Sequence, residues 1–286
     1  MPDTPPHIPA LRIDAHQHFW QFDPVRDSWI TWEMQAIRRD FLPDHLLPLL
    51  QEGGIDGTVA VQADQSEEEN EFLLGLAGDY DFIKGVVGWV DLRHPEVDRR
   101  LEHYTAYPKL KGFRHVLQGE QDRALMLNPN FKRGIAALAA YGYTYDILIH
   151  PDQLGYTREF VASFPDQPFV IDHIAKPHIK DRYITEEWIN AIRAVAAYPN
   201  VSCKISGLVT EADWRHWKPE HLTVYMDTVV EAFGTGRILY GSDWPVCLVA
   251  ASYGQVLKVV KDYFSAFSTD EQAAFFGGNA MRFYKL

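Results

Sequence analysis

Thr58-Val59-Ala60-Val61-Gln62 carries β-branched or apolar side chains at four consecutive positions before its first amide. A strand with one face in water alternates apolar and polar residues, whereas a continuous run fits a strand covered on both faces by other layers. Similar runs occur at residues 11–15, 82–90, 110–116, 144–149, 169–171, 201–205 and 237–240. Between them lie segments with helical patterning, at residues 43–51, 66–77, 129–140, 153–164, 185–197, 219–233 and 253–267. Ser66 before Glu67-Glu68-Glu69 and Thr185 before Glu186-Glu187 read as helix caps, and Thr269-Asp270-Glu271 opens a last helix that Gly277-Gly278 is expected to end. Eight strand–helix alternations with no G-x-G-x-x-G turn predict an α/β fold of the (β/α)8 TIM-barrel type rather than an open doubly wound sheet. The 286 residues fit a single such domain over residues 1–286.

The composition narrows the function classes. A hydrophobic share of 47% and a charged share of 23% suit a chain that folds alone, without disordered tracts. A net charge of −12 argues against nucleic acid and anionic membrane surfaces as partners, leaving a small molecule. Cys203 and Cys247 are not spaced as metal ligands and read as buried free thiols. Residues 1–9 lack the pattern of a signal peptide, and no stretch is apolar for long enough to span a bilayer, so a cytoplasmic location is expected. The chain carries no signal for an oligomeric state. Residues 19–41 form a long connection holding Trp20, Phe22, Trp29, Trp32 and Met34, an aromatic density that predicts a packed lid, a plug over the barrel end, or both.

Asp14-Ala15-His16-Gln17-His18 ends the first run in two histidines one residue apart. Residues two apart share a face of a strand, so both imidazoles can reach one place at the C-terminal mouth of a barrel, and neutral imidazole is a common transition-metal ligand. Other runs end the same way: Ile149-His150, Asp172-His173 and Ser242-Asp243. Packing gives apolar strands no reason to end repeatedly in histidine or aspartate, and strand C-termini of such a barrel converge on one mouth. Asp243 also precedes Trp244-Pro245, so a turn-forming role stands beside the catalytic one. His7, His45, His94, His103, His216 and His221 lack converging partners and read as solvated or structural, and His178 is a weak candidate.

Four segments carry a family resemblance: Arg12-Ile13-Asp14-Ala15-His16-Gln17-His18-Phe19-Trp20, Lys111-Gly112-Phe113-Arg114-His115-Val116-Leu117-Gln118, Asp172-His173-Ile174-Ala175-Lys176-Pro177 and Tyr240-Gly241-Ser242-Asp243-Trp244-Pro245. Together the chain resembles the amidohydrolase superfamily, of the amidohydrolase 2 type, and within it the sugar-lactonase branch that acts on L-fucono- and L-rhamnonolactones. The resemblance implies hydrolysis of an aldonolactone to its sugar acid, in a pathway of L-fucose or related carbohydrate catabolism. It also implies that Asp243 helps to activate water, with His16, His18 and Asp243, joined by His150 or His173, binding one divalent ion, zinc by preference, or with the histidines contacting substrate and no ion at all. Two-metal relatives bridge their ions through a lysine or glutamate on the fourth strand; Arg114-His115 stands here instead, which argues against a second ion.

Lactone opening needs an activated water, a polarised carbonyl and a proton for the leaving ring oxygen. Asp243 is the expected base, with His150 and His173 as further catalytic groups. For substrate contacts the candidates are Arg114 or His115, of which strand alternation turns one inward, with Arg114 preferred for its fork of donors; Gln118 and Lys176; and the aromatic faces of Trp32 and Trp244. A decarboxylase, a pyrone-dicarboxylate lactonase on the same scaffold, and a barrel that binds a sugar acid without turnover are the competing readings.

Overall fold

A computed structural model describes residues 11–286; His7 and the leader reading of residues 1–9 lie outside them. The eight expected strands are present as β1 (Ile13–Gln17), β2 (Gly57–Val61), β3 (Ile83–Gly88), β4 (Leu110–His115), β5 (Thr144–Ile147), β6 (Phe169–Ile171), β7 (Val201–Ile205) and β8 (Ile238–Tyr240). They form one parallel sheet in chain order. The barrel closes through a bridge between Gln17 and Trp244, where His18 N–H donates to the Trp244 carbonyl at 2.7 Å and Asp243 N–H to the His16 carbonyl at 2.8 Å. The closing hydrogen bonds therefore come from the residues that carry the candidate chemistry.

Among the described residues ten α-helices cover or extend the barrel: α1 (Pro43–Gly53), α2 (Glu67–Asp79), α3 (Val97–Tyr104), α4 (Pro129–Tyr141), α5 (Leu154–Ala162), α6 (Glu186–Ala196), α7 (Pro219–Phe233), α8 (Tyr253–Phe264), α9 (Thr269–Ala273) and α10 (Asn279–Tyr284). Ser66 and Thr185 cap α2 and α6 as read from sequence, each accepting a backbone N–H of the first turn. The sequence reading misses α3, because only Val97, Leu101 and Tyr104 are buried and the rest of so short a helix is strongly polar, which reads as a loop. Gly277-Gly278 does not end the last helix: the chain passes through a wide turn at residues 274–278 and continues into α10. Gly277 is there for close approach, since a Cβ would lie 1.8 Å from the Leu11 carbonyl oxygen.

Ile13, Ala15, Val59, Val61, Val87, Val170 and Leu239 pack as an inner cluster with Ala280 and Tyr284 of α10. A larger cluster fills the space between sheet and helices. Residues 19–41 serve as plug and wall together. Phe19, Trp20, Ile30, Ile37 and Phe41 are buried, and Trp20 and Phe41 exchange backbone hydrogen bonds, while Trp29 and Met34 face the cavity described below. Cys203 and Cys247 are buried free thiols, and no helix among the described residues is long and apolar enough to cross a membrane.

Candidate active site

The histidine pair owes its direction to a defect in β1. Asp14 pairs with Thr58 and Gln17 with Ala60, so three steps on β1 oppose two on β2, a one-residue bulge. Ile13 and Ala15 belong to the inner cluster, and strict alternation would put His16 on the opposite face. The bulge turns His16, and with it His18, inward; their ring centroids lie 5.0 Å apart. Asp14 pins the neighbouring turn, its Oδ1 accepting the N–H groups of Ser242 at 2.9 Å and His16 at 3.2 Å. Burial pushes that carboxyl up to about 6, against the hydrogen bonds it accepts.

Asp243 and His173 come from left-handed backbone, with φ of 58° and 53°, where non-glycine residues are strained. The three residues after His173 share that conformation, so β6 ends in a tight left-handed turn. Gly207, at φ +65°, makes room for it: a Cβ there would lie 2.6 Å from His173 Nδ1. The result is a convergence on one oxygen. Asp243 Oδ1 lies 3.5 Å from His18 Nε2, 3.8 Å from His173 Nε2 and 4.0 Å from His16 Nε2. His18 Nδ1 donates to the Val61 carbonyl at 2.7 Å, which fixes the tautomer and leaves Nε2 with its lone pair toward Asp243. His173 Nδ1 is paired with the Ser206 hydroxyl at 2.9 Å.

The electrostatics match. Burial and the nearby Lys204 ammonium hold His16 well below the usual histidine value; burial does the same for His173 and, helped by Arg114, lowers His18. All three are therefore harder to protonate than a free imidazole. Burial would raise Asp243, but the adjacent His173 and His18 outweigh it and keep the carboxyl below the usual range, hence ionised.

Above this group opens a cavity of about 500 Å³. His18, Arg114, Gln118, His173, Lys176 and Asp243 line it, and His16 lies wholly buried beside them, its ring 4.4 Å from that of His173. Arg114, not His115, is the inward residue of the β4 pair. Its Nη1 lies 3.1 Å from Asp172 Oδ2 and 3.3 Å from His16 Nε2, and Nη2 bonds the Gln62 carbonyl. His115 points outward against Phe131 of α4 and binds Glu120 at 2.7 Å, which corrects its candidacy as a substrate contact.

Three other expectations are corrected. His150 lies outside the lining because β5 has ended at Ile147; the chain is turning there, and Leu148 occupies the wall instead. Trp244 is buried edge-on between Phe19 and Phe41, so its ring closes the core rather than facing a sugar. Trp32 is 73% exposed, stacked under Arg38 and away from the cavity. Among the remaining histidines, His45, His94, His216 and His221 make local cap or turn contacts, and the His103 ring packs against Tyr104 and Tyr107.

Trp29 and Met34 line the cavity from the connection expected to form a lid, while sequence reading missed Asp64, Gln65, Glu211 and Trp214 in the lining, and Asp146, Asp172 and Lys204 beneath it. The signal for Asp146 and Lys204 was present: a charged residue in the middle of an otherwise apolar strand.

The donor set fits a divalent ion. Ligand atoms of His16, His18 and Asp243 lie within 4.8 Å of one another, a nitrogen–nitrogen–oxygen set suited to zinc and similar metals. A second combination, His16, Asp172 and His173, is less open, since Asp172 already holds Arg114 at 3.1 Å and Lys204 at 3.0 Å.

Residues 13–286 match the family described as amidohydrolase. The chain belongs to the amidohydrolase family. This amidohydrolase is 43% identical over 287 residues to an L-fucono-1,5-lactonase of Burkholderia multivorans, the match covering 97% of each. It is 38% identical over 283 residues to an L-fucono-1,5-lactonase of Burkholderia ambifaria, covering 97% of this chain and 96% of that one. A crystal structure of an amidohydrolase from Burkholderia multivorans with bound zinc superposes with a TM-score of 0.94 at 43% identity, over 97% of this chain and all of the other.

Proposed function

We infer that this amidohydrolase hydrolyses a sugar lactone to its sugar acid, with L-fucono-1,5-lactone the leading substrate. The observation that carries the reading is the placement of an ionised carboxylate, Asp243 Oδ1, within 4.0 Å of three imidazole nitrogens at the floor of a cavity large enough for one sugar ring. The names of the Burkholderia relatives support the substrate class.

In this scheme a water held by Asp243 adds to the lactone carbonyl carbon while Asp243 takes its proton. The ring C–O bond then breaks, and the departing oxygen receives a proton through His173 or His18, whose Nε2 atoms flank the same carboxylate. Arg114 presents fixed positive charge beside the group, suited to the developing oxyanion. Gln118, whose Oε1 is buried without a partner, is placed to take a sugar hydroxyl. A divalent ion, when bound by His16, His18 and Asp243, would supply Lewis-acid polarisation of the carbonyl.

The charge of the cavity favours a neutral substrate. Asp64, Glu211 and Asp243 face Arg114 and Lys176, and both cations are already paired, Arg114 with Asp172 at 3.1 Å and Lys176 with Glu211 at 3.3 Å. Both lining cations already face a carboxylate, which weighs against a pyrone dicarboxylate, whose two carboxylates would each need one. The backbone strain at Asp243 and His173 weighs against a mere binding barrel, since such strain clusters where chemistry is done. A pH-indicator assay over L-fucono-, L-rhamnono- and L-galactonolactones is expected to register acid release, fastest with the fucono-1,5-lactone. Silence across a broad aldonolactone panel, with turnover of a dicarboxylate lactone or an aromatic acid, would overturn the reading.

A further inference from the structure

Lys204, in the middle of β7, takes no part in the scheme above yet touches the site from beneath. It is wholly buried, and its Nζ lies 2.5 Å from Asp146 Oδ2 on β5, 3.0 Å from Asp172 Oδ1 past the end of β6 and 3.0 Å from His16 Nδ1. Asp146 Oδ2 accepts a hydrogen bond from the ammonium, and Asp172 Oδ1 is held as an ion pair. Asp146 Oδ2 also accepts from the hydroxyl of Tyr284, at 2.8 Å, so α10 is tied into the same layer. Asp172 is shared with Arg114. Two cations and two carboxylates thus occupy a layer closed to water, where an apolar substitute of similar volume would often serve folding as well or better. Stability alone does not account for the set. Lys204, Asp172 and Arg114 meet at His16: the ring is flanked at Nδ1 by Lys204 and by Asp172 Oδ1 at 3.2 Å, so Nε2 is the nitrogen presented to Asp243.

We propose that Lys204 is a positioning residue that, by gripping Asp172 and the inner nitrogen of His16, orients the His16 ring toward Asp243. The effect on rate rests on the lactonase reading; the effect on ring orientation does not. Lys204→Met alone leaves two carboxylates against one cation in a dry interior and is expected to lower the folding yield. The charge-balanced pair Lys204→Met with Asp146→Asn keeps an acceptor for Tyr284 and is the variant to test. Its melting temperature should stay close to that of the parent, while kcat falls about 30-fold or more and KM changes by less than about threefold. A crystal structure of the pair should show the His16 ring turned, with Nε2 no longer near Asp243. A ring in its original place would overturn the proposal whatever the rate, and so would a kcat per folded molecule within about threefold of the parent. Should the parent open no lactone at all, the functional reading fails, and the ring position by itself decides the role of Lys204.

Discussion

Arg114 and His115 stand side by side on β4, equally buried, and meet different worlds. Arg114 reaches His16, Asp172 and the cavity; His115 reaches Trp89, Glu120 and the ring of Phe131. Alternation limited the inward position to one of the two, and residue chemistry favoured the arginine. Arg114→Gln is therefore expected to lower kcat/KM by about 100-fold or more through lost charge beside the reacting carbonyl. His115→Gln should leave kcat and KM within about twofold and cost about 1–2 kcal/mol of stability, seen in denaturant unfolding. Equal kinetic losses in both variants would contradict this assignment. Position at a strand end was a good guide to His16, His18, His173 and Asp243, because barrel geometry gathers those ends at one mouth. It misled at His150, where the strand stops three residues earlier and Leu148 lines the wall instead.

Between residue and barrel, the decisive local structures are a bulge in β1 and a glycine after β7. The strands were legible because each is a buried β-branched run. Neither the bulge nor the left-handed turn at residues 173–176 was, since both depend on contacts between strands distant in sequence. Gly207→Ala tests the second device. At φ +65° and with His173 Nδ1 2.6 Å from the new methyl, the variant should fold with a loss of about 1–3 kcal/mol and show at least a tenfold lower kcat, as His173 is pushed aside. Helix α2 supplies a pH-dependent case. Glu69 is buried beside the β2–α2 connection, and burial raises its carboxyl to about 7 despite the Ala63 N–H it accepts and the Arg26 charge nearby. The folded state therefore holds this proton more tightly than the unfolded one; the stabilisation is full below the usual glutamate range and is lost as pH rises through about 7. Glu69→Gln escapes that loss, so its melting temperature should match the parent near pH 5 and exceed it at pH 8, by the equivalent of about 1–3 kcal/mol. A difference that does not change with pH would show that Glu69 is ionised in the fold throughout.

Across the whole molecule, the barrel separates support from chemistry in layers. The inner cluster of Ile13, Ala15, Val59, Val61, Val87, Val170 and Leu239 fills one end with Tyr284, a layer of paired charges lies near it, and the histidines with Asp243 face the mouth under the aromatic connection of residues 19–41. The net charge of −12 is carried into the cavity, where carboxylates outnumber cations, consistent with a neutral lactone entering and an anionic product leaving. The overall fold was readable from the order of runs and caps, while the charged layer was not, since a lysine or aspartate inside an apolar strand gives no hint of its partners. The central claim is that Asp243 activates the water that opens the lactone. Its most direct measurement is L-fucono-1,5-lactone hydrolysis by the parent and by Asp243→Asn, alongside calorimetric binding of the sugar-acid product to both. The expected result is a kcat lower by about 100-fold or more in the variant, with product affinity changed by less than about tenfold. Turnover by Asp243→Asn within a few-fold of the parent would contradict it.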